Sequence, residues 1–247
     1  MKRSKISQLL ASSLYNSIYQ MKNFPMMLIM SMVSPFSLLF VITVISRGAL
    51  IGVAIEGAFI MTMVSAGLSL VNDLSHYKND LRLQDMVVSS PTTAFIYIVG
   101  MGLSELIYYL PSLVILIALA ALFIHMSAIV AMTLAGVMLL MFALALSLAF
   151  VFATITSDVV QGWPFVQILS ILLSTLPPVY YPITYIPLPY RYIAYLSPTT
   201  YAAQLAQAAT GFLAPAAVNA GADWAVLVIV TIIILIIAAK KTRWRER

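Results

Sequence analysis

Long apolar runs, separated by short polar breaks, fill most of this chain. A membrane-spanning helix needs about 20 predominantly apolar residues, and several runs reach or approach that length. They cover residues 26–46, 50–71, 95–123, 128–156 and 224–239, and a further run begins at Pro164 and ends near residues 177–178. The pattern predicts an all-α membrane protein with six transmembrane helices, in a single transmembrane domain over residues 1–247.

The stretch over residues 177–211 is also apolar, but prolines interrupt it. They stand at positions 177, 178, 182, 187, 189 and 198. Proline removes a backbone donor and kinks or ends a helix, and irregular backbone at membrane depth needs protein or water to satisfy its polar groups. We therefore expect a re-entrant external segment of short helices between spans five and six.

This broken segment holds seven of the 13 tyrosines of the chain. They are Tyr180, Tyr181, Tyr185, Tyr190, Tyr192, Tyr195 and Tyr201. Tyrosine favours the lipid–water interface, where its ring is buried and its hydroxyl group is wet. The tyrosines are therefore expected to form an aromatic belt, and the alternative is a gate or substrate-facing lip that includes Tyr181, Tyr185 and Tyr201.

The first 24 residues have an amphipathic pattern instead. Apolar residues recur at helical spacing at Ile6, Leu9, Leu10, Leu14 and Ile18. Basic residues flank them at Lys2, Arg3, Lys5 and Lys22. A helix of this kind lies in the interface plane of an anionic leaflet, so residues 1–24 are predicted to form an interfacial helix.

The distribution of lysine and arginine orients the predicted spans. Six spans place both ends of the chain and the loop over residues 73–90 on one side of the membrane. That side carries 11 of the 13 basic residues, and only Arg47 and Arg191 lie on the other. Because cytoplasmic loops are enriched in lysine and arginine, we expect a multi-pass protein of the cell membrane with both termini in the cytoplasm.

Composition strengthens the membrane interpretation and excludes other classes. Hydrophobic residues make up 62% of the chain and charged residues 9%, whereas a soluble domain carries about 25% charged residues. The chain has no cysteine and only two histidines, so disulfides and thiolate metal sites are excluded and no metal site is expected. The net charge of +5 comes from basic residues near the chain ends, which membrane orientation explains without a nucleic-acid partner.

Two carboxyl groups are expected at membrane depth, Glu56 in the second span and Glu105 in the third. Ionised carboxylates there are costly and usually face a cavity or a partner, so both are candidates for a substrate path. The simpler expectation is that Glu56 reaches the outer interface and that Glu105 pairs with a tyrosine hydroxyl or a backbone group. Arg191 lies among the external tyrosines, where lipid phosphates, an anionic substrate or plain interface anchoring would explain it.

Four short motifs before the last span resemble a known family. They are Tyr181-Pro182, Ile186-Pro187, Arg191-Tyr192-Ile193 and Ser197-Pro198-Thr199-Thr200-Tyr201. Together they are similar to the signature of type-2 ABC transporter permeases in the drug and antibiotic export branch. Ser197 stands where that family usually has asparagine, and Thr199 where it often has leucine.

A second resemblance lies in the loop after the second span. Residues 76–88, followed by Ser90 and Pro91, resemble the cytoplasmic coupling helix of the same family, with residues 81–86 in place of its usual consensus. A helix here would end before Pro91, because a residue that precedes proline disfavours helical dihedral angles. The residues expected to couple to an ATPase are Asp80, Arg82, Leu83, Asp85 and Met86, whose apolar and charged side chains suit a docking surface.

The resemblance implies a half-transporter. Two six-span subunits, either two copies of this chain or this chain with a homologous permease, would form the pathway, and cytoplasmic ABC ATPase subunits would drive it. The chain contains no G-x-x-x-x-G-K-[ST] phosphate cradle, so it is not expected to be an enzyme. ATP and Mg²⁺ would bind to the partner ATPase, and no cofactor is expected in this chain.

The expected function is a membrane-spanning permease subunit of an ATP-driven ABC exporter. Its apolar spans and tyrosines suit a hydrophobic or amphipathic substrate, such as a drug, a peptide, a lipid or a lipid-linked glycan. The alternative is a secondary transporter or channel that works without ATP, and a third class is an intramembrane enzyme. The sequence shows neither the internal repeat that is usual in secondary transporters nor a catalytic grouping.

Overall fold

The computed structural model describes residues 17–18, 21–23, 25–79, 94–155, 159–174, 177–214 and 218–241. The α-helices in these ranges are α1 (Pro25–Ile45), α2 (Ile51–Asn79), α3 (Ala94–Phe123), α4 (Ala128–Ile155), α5 (Val159–Ser174), α6 (Arg191–Ala194), α7 (Pro198–Thr210) and α8 (Ala220–Lys241), and a 3₁₀ turn covers Ile183–Tyr185. Every regular element within the described residues is helical. The all-α prediction is therefore confirmed for that part of the chain.

Four of the described helices are long and apolar enough to cross a membrane. The qualifying segments are Ile51–Leu74 in α2, Val99–Phe123 in α3, Ala128–Ala153 in α4 and Ala220–Lys240 in α8. They correspond to the second, third, fourth and last runs predicted from the sequence. The first and fifth predicted spans contain shorter apolar segments, Ser31–Ile45 in α1 and Gly162–Ser174 in α5.

Two helix boundaries differ from the sequence pattern. Helix α2 continues to Asn79, beyond the predicted end of the second span at residue 71, so Asp73 lies on a helix and not in a loop. Helix α5 begins at Val159, five residues before the predicted start at Pro164. A proline removes one hydrogen bond from a helix, but a helix can tolerate this loss and continue through the proline, as α5 does at Pro164.

Helix α8 also begins earlier than the apolar run that predicted it. Its apolar run starts at Trp224, but the helix starts at Ala220. The side-chain oxygen of Asn219 accepts a hydrogen bond of 3.2 Å from the backbone N–H of Ala222. Asparagine in this position satisfies one of the unpaired donors of the first turn, and this cap adds a polar turn to the helix.

Helix α2 is the centre of the molecule. In an 18-residue apolar stretch of α2, 89% of the residues are buried, against 22% in a stretch of the same length in α8. It packs against α1, α3, α4, α5 and α7. Gly67 is needed for the tightest of these contacts, because a Cβ atom there would lie 2.5 Å from the Cβ atom of Ala145 on α4. Small residues at such crossings allow close helix packing in membranes.

The chain between α5 and α8 is built from short pieces. It contains the 3₁₀ turn, the single-turn helix α6 and the 13-residue helix α7. Helix α7 ends at Gly211, whose φ of 84° is in the left-handed region that glycine adopts at little cost. Helix α7 packs against α2, α4 and α8, so this segment folds back onto the helix bundle.

Two predicted elements fall largely outside the described residues. The expected coupling residues Asp80, Arg82, Leu83, Asp85 and Met86 lie there, between the end of α2 and the start of α3. Most of the predicted interfacial helix over residues 1–24 lies there too, although residues 17–18 and 21–23 are helical.

Candidate functional site

The carboxyl group of Glu105 is buried between α3 and α2. The residue is only 2% exposed. The hydroxyl group of Ser69 on α2 donates a 2.5 Å hydrogen bond to Oε2 of Glu105, and Oε1 accepts no hydrogen bond from the described residues. Asp73, one turn further along α2, interacts electrostatically with this carboxyl group. The partner is thus a serine of the neighbouring helix, and the expected tyrosine or backbone partner is not seen.

A serine contact links the N-terminal segment to the same region of α3. The Ser17 hydroxyl donates a 2.9 Å hydrogen bond to the carbonyl oxygen of Ser104, and the hydroxyl oxygens of the two serines lie 3.1 Å apart. Ser104 immediately precedes Glu105. Ser17 therefore contacts α3 at the residue before Glu105.

The second carboxyl group, Glu56, is buried as deeply, near the start of α2. The residue is 1% exposed, and neither carboxyl oxygen has a hydrogen-bond partner among the described residues. The hydroxyl group of Thr210 on α7 lies beside it. The Thr210 hydroxyl is within hydrogen-bonding distance of the carbonyl oxygens of Ala206, at 3.1 Å, and of Gln207, at 3.2 Å. The expectation that Glu56 reaches the outer interface is wrong, because α7 folds over it.

Gln207 is a buried polar side chain of α7, one helical turn before Thr210. It is 1% exposed. Its Nε2 atom donates a 3.4 Å hydrogen bond to the carbonyl oxygen of Tyr181, and its Oε1 atom has no partner among the described residues. Gly57, which follows Glu56, lies against Val179 and Tyr180. The segment at residues 179–181 thus contacts both α2 and α7 where these polar groups meet.

The two buried carboxyl groups belong to separate places in the molecule. Glu56 and Ser69, the serine that contacts Glu105, are 13 residues apart on α2. At 1.5 Å per residue this is a separation of about 20 Å along the helix axis. Glu56 and Glu105 are therefore not members of one site.

The tyrosines of the broken segment divide into buried and exposed groups. Tyr180 is buried, and its hydroxyl group donates a 3.4 Å hydrogen bond to the carbonyl oxygen of Pro35 on α1. Tyr181 is half-buried. Large exposed surfaces remain on Tyr185, Tyr190 and Tyr192. The structure thus leaves one side of the segment aromatic and open, next to a side that is anchored to the bundle.

Arg191 forms hydrogen bonds to backbone carbonyl groups within the broken segment. Its Nε atom donates to the carbonyl oxygen of Ile186 at 3.3 Å, and its Nη2 atom donates to the same oxygen at 3.0 Å and to that of Thr184 at 3.3 Å. The planar guanidinium group suits such forked contacts. These bonds fix the 3₁₀ turn against α6.

The residues of the Ser197–Tyr201 motif connect three helices. Thr199 donates a 2.8 Å hydrogen bond to the carbonyl oxygen of Leu173 on α5. The hydroxyl oxygens of Ser197 and Thr199 lie 2.7 Å apart, and Ser197 is the donor because the Thr199 proton is already used. Thr200 donates to the carbonyl oxygen of Ala194 on α6. The motif therefore joins the start of α7 to α5 and α6.

Tyr201 completes this set of contacts. Its hydroxyl group donates a 2.9 Å hydrogen bond to the carbonyl oxygen of Tyr195, and the two rings lie with centroids 6.0 Å apart. Of the sequence candidates, the structure brings Tyr185 and Arg191 into the 3₁₀–α6 region, Tyr201 onto α7 and Tyr181 beside Gln207. Glu105 is remote from all of them.

Sequence reasoning missed the polar side chains in the regions of both carboxyl groups. These are Ser69 and Asp73 around Glu105, and Gln207 and Thr210 around Glu56. One signal was present for α7, where Gln204 and Gln207 stand three residues apart in an alanine-rich stretch and so share a helix face. The proximity of this face to Glu56 depends on a contact between residues about 150 positions apart, which no local pattern carries.

Comparison with known protein families identifies the family to which this chain belongs. No individual curated protein shows significant similarity to the chain. Residues 8–210, however, match the profile of the family described as ABC-2 type transporter. The match covers most of the chain, from the predicted interfacial helix through the end of α7. This chain is therefore a multi-pass membrane protein and a permease component that belongs to the ABC-2 type transporter family.

Proposed function

We propose that this chain is the permease subunit of an ATP-driven ABC exporter and forms half of the pathway for a hydrophobic or amphipathic substrate. The family match over residues 8–210 carries the proposal. It agrees with a bundle of apolar helices and with the absence of a phosphate cradle from the sequence. ATP and Mg²⁺ then belong to a separate cytoplasmic ATPase.

Six spans remain the proposed topology, with α1 and α5 as the first and fifth. Helix α1 has 21 residues, about 32 Å at 1.5 Å per residue, whereas α5 has 16, about 24 Å. Helices α6 and α7 are proposed to form the re-entrant external segment. The bias of basic residues supports cytoplasmic termini in the cell membrane.

A second permease subunit is proposed to cover the outer faces of α1 and α5. Phe40 and Val44 on α1 and Ile168 and Ile171 on α5 are all exposed in the single chain. Such apolar faces need lipid or protein around them. The resemblance to type-2 permeases implies that the first and fifth spans meet across a dimer, either with a second copy or with a homologous chain.

The segment over residues 73–90 is proposed to dock the ATPase. It follows the apolar part of α2, and α2 itself continues to Asn79 within it. The residues proposed to make the contact are Asp80, Arg82, Leu83, Asp85 and Met86. Docking at this point would transmit movement directly to α2, which packs against most of the bundle.

The experiment is a charge test of this docking segment. Arg82→Glu and Leu83→Asp should leave membrane insertion intact but prevent co-purification of an ABC ATPase encoded in a neighbouring reading frame, and should abolish ATP-dependent transport in liposomes. Placing an unpaired charge in such an interface costs several kcal/mol, and each 1.4 kcal/mol is about tenfold in affinity.

Lys240→Glu provides the matched control, because this charge reversal lies at the exposed end of α8 and should leave ATPase binding unchanged. Full ATP-dependent transport by both docking variants would contradict the role of residues 73–90. Transport by the wild-type chain without any ATPase would instead favour a secondary transporter.

A further inference from the structure

The contact between α2 and α7 contains buried oxygen atoms that lack donors. Both carboxyl oxygens of Glu56 and the Oε1 atom of Gln207 are buried without hydrogen-bond partners among the described residues. Unpaired buried acceptors are rare in native proteins, and each calls for an explanation. We propose that Glu56, Gln207 and Thr210 form a binding site for a single positive charge, supplied by a proton or by one small monovalent cation.

The surroundings of Glu56 supply oxygen atoms and few donors. From α7, the Thr210 hydroxyl lies beside the carboxyl group, but its one proton has the backbone carbonyls of Ala206 and Gln207 as acceptors. The amide NH₂ group of Gln207 is turned to the carbonyl oxygen of Tyr181. The polar side chains of this part of α7 therefore offer mainly acceptors, and such a set of groups suits a cation or a proton.

Among the basic side chains that the structure describes, which are those of Lys22, Arg47, His125, Arg191 and Lys240, none is seen to pair with Glu56. Arg191 donates its hydrogen bonds to Thr184 and Ile186. Lys22, Arg47, His125 and Lys240 are exposed, and Glu56 is not. The titratable groups on α7 and on the segment before the 3₁₀ turn are Tyr201, Tyr180 and Tyr181, and none of them carries positive charge.

The depth of the site limits the size of its ligand. Glu56 and Gln207 are each 1% exposed, and Gly57 next to Glu56 lies so close to Val179 that a Cβ atom there would be 2.6 Å from its carbonyl oxygen. A proton on Glu56 would turn one unpaired oxygen into a donor and would pair it with the Oε1 atom of Gln207 or the Oγ1 atom of Thr210. A single alkali-metal ion would satisfy the same oxygens by coordination.

Occupancy of the site would hold α7 against α2. Residues 179–181 and α7 both contact α2 at this place, and α7 leads back to the exposed tyrosines. Without the bound proton or cation, the ionised Glu56 carboxylate would face other hydrogen-bond acceptors across the contact between α2 and α7. The site therefore links cation or proton binding to the seating of the segment over residues 177–214.

The test uses the full-length chain in liposomes and needs no ATPase, so its result is independent of the proposed export function. In sodium- and potassium-free buffer at pH 7, infrared spectra of wild type should contain the C=O band of a protonated carboxylic acid that Glu56→Gln removes. Glu105→Gln is the matched control, since it removes the other buried glutamate and should leave the Glu56 band in place. Gln207→Leu keeps the carboxyl group but should shift its band, because the hydrogen-bond acceptor is lost.

A second arm adds sodium or potassium chloride. If the site holds an alkali-metal ion, the unfolding temperature of wild type should rise with the concentration of that ion, and Glu56→Gln should abolish the rise. If the site holds a proton, the infrared band should persist in salt and the unfolding temperature should not depend on the choice of cation. The proposal is overturned if Glu56→Gln removes no infrared band and the unfolding temperature of wild type depends on neither ion. An unshifted band in Gln207→Leu would remove Gln207 from the site.

Discussion

At the scale of single residues, the polar groups of this chain serve mainly as ties inside an apolar protein. Arg191 looked from the sequence like a contact for lipid phosphates or an anionic substrate. In the structure its guanidinium group instead binds the carbonyl oxygens of Thr184 and Ile186. The sequence identified the residue but not its partners, because the turn that presents those carbonyl groups exists only once the proline-rich segment has folded.

Arg191 is therefore expected to stabilise the segment. Arg191→Gln should lower stability by about 1–2 kcal/mol, since hydrogen bonds to charged groups contribute roughly 1.5–3 kcal/mol and this side chain is only half-buried. For a chain of this size, each kcal/mol corresponds to about 2–4 °C in unfolding temperature. The measurement is thermal unfolding of the purified protein in detergent.

The neighbouring Tyr192→Phe serves as a control, because the Tyr192 side chain is exposed and should be replaceable without a measurable change. Arg191→Lys should recover only part of the loss, because an ammonium group lacks the forked geometry. An unchanged unfolding temperature for Arg191→Gln would show that the carbonyl contacts do not stabilise the segment.

At the scale of helices, the apolar pattern predicted which helices exist more reliably than it predicted where each helix begins and ends. The runs over residues 95–123 and 128–156 agree closely with α3 and α4. Helix α2 runs past its predicted end, and Asp73 within it lies beside Glu105 on α3. A polar residue marks the end of the apolar stretch in a hydropathy pattern, but the helix itself can continue beyond that residue.

The crossing of α2 and α4 gives a sharp test of packing. At Gly67, a Cβ atom would lie 2.7 Å from the backbone nitrogen of Leu146 on α4, whereas at Gly102 on α3 the nearest atom is the flexible end of the Leu146 side chain, at 3.1 Å. Gly67→Ala should therefore destabilise the protein by about 1–3 kcal/mol, the usual cost of overpacking. Gly102→Ala should be close to neutral, because a side chain can move where a backbone cannot.

Both glycine variants are compared by thermal unfolding under the same detergent conditions. Both add one methyl group to a buried glycine in a helix, so intrinsic helix propensity favours alanine equally in the two cases. The difference between them isolates the cost of separating two backbones. Equal unfolding temperatures would mean that α2 and α4 do not pack as closely as the structure shows.

At the scale of the whole molecule, the chain consists of a central helix with others arranged around it. Helix α2 is enclosed by α1, α3, α4, α5 and α7, while α8 and the outer faces of α1 and α5 stay apolar and exposed. Composition predicted the lipid environment, since so few charged residues cannot cover a water-facing surface. It could not predict which helix is central, because α2 is the least apolar of the four qualifying segments and owes its burial to contacts made by distant parts of the chain.

The orientation of this assembly in the membrane is set by charge and can be measured directly, because the chain has no cysteine. Arg47→Cys, in the turn between α1 and α2, and His125→Cys, between α3 and α4, should react with a membrane-impermeant thiol reagent added to intact cells. Both residues are exposed, so the new thiol groups would be accessible. Lys78→Cys and Thr242→Cys should react only after the cells are opened, since the positive-inside bias places them in the cytoplasm. Reaction of both of these probes in intact cells would rule out the six-span topology with cytoplasmic termini. It would also rule out access of a cytoplasmic ATPase to residues 73–90.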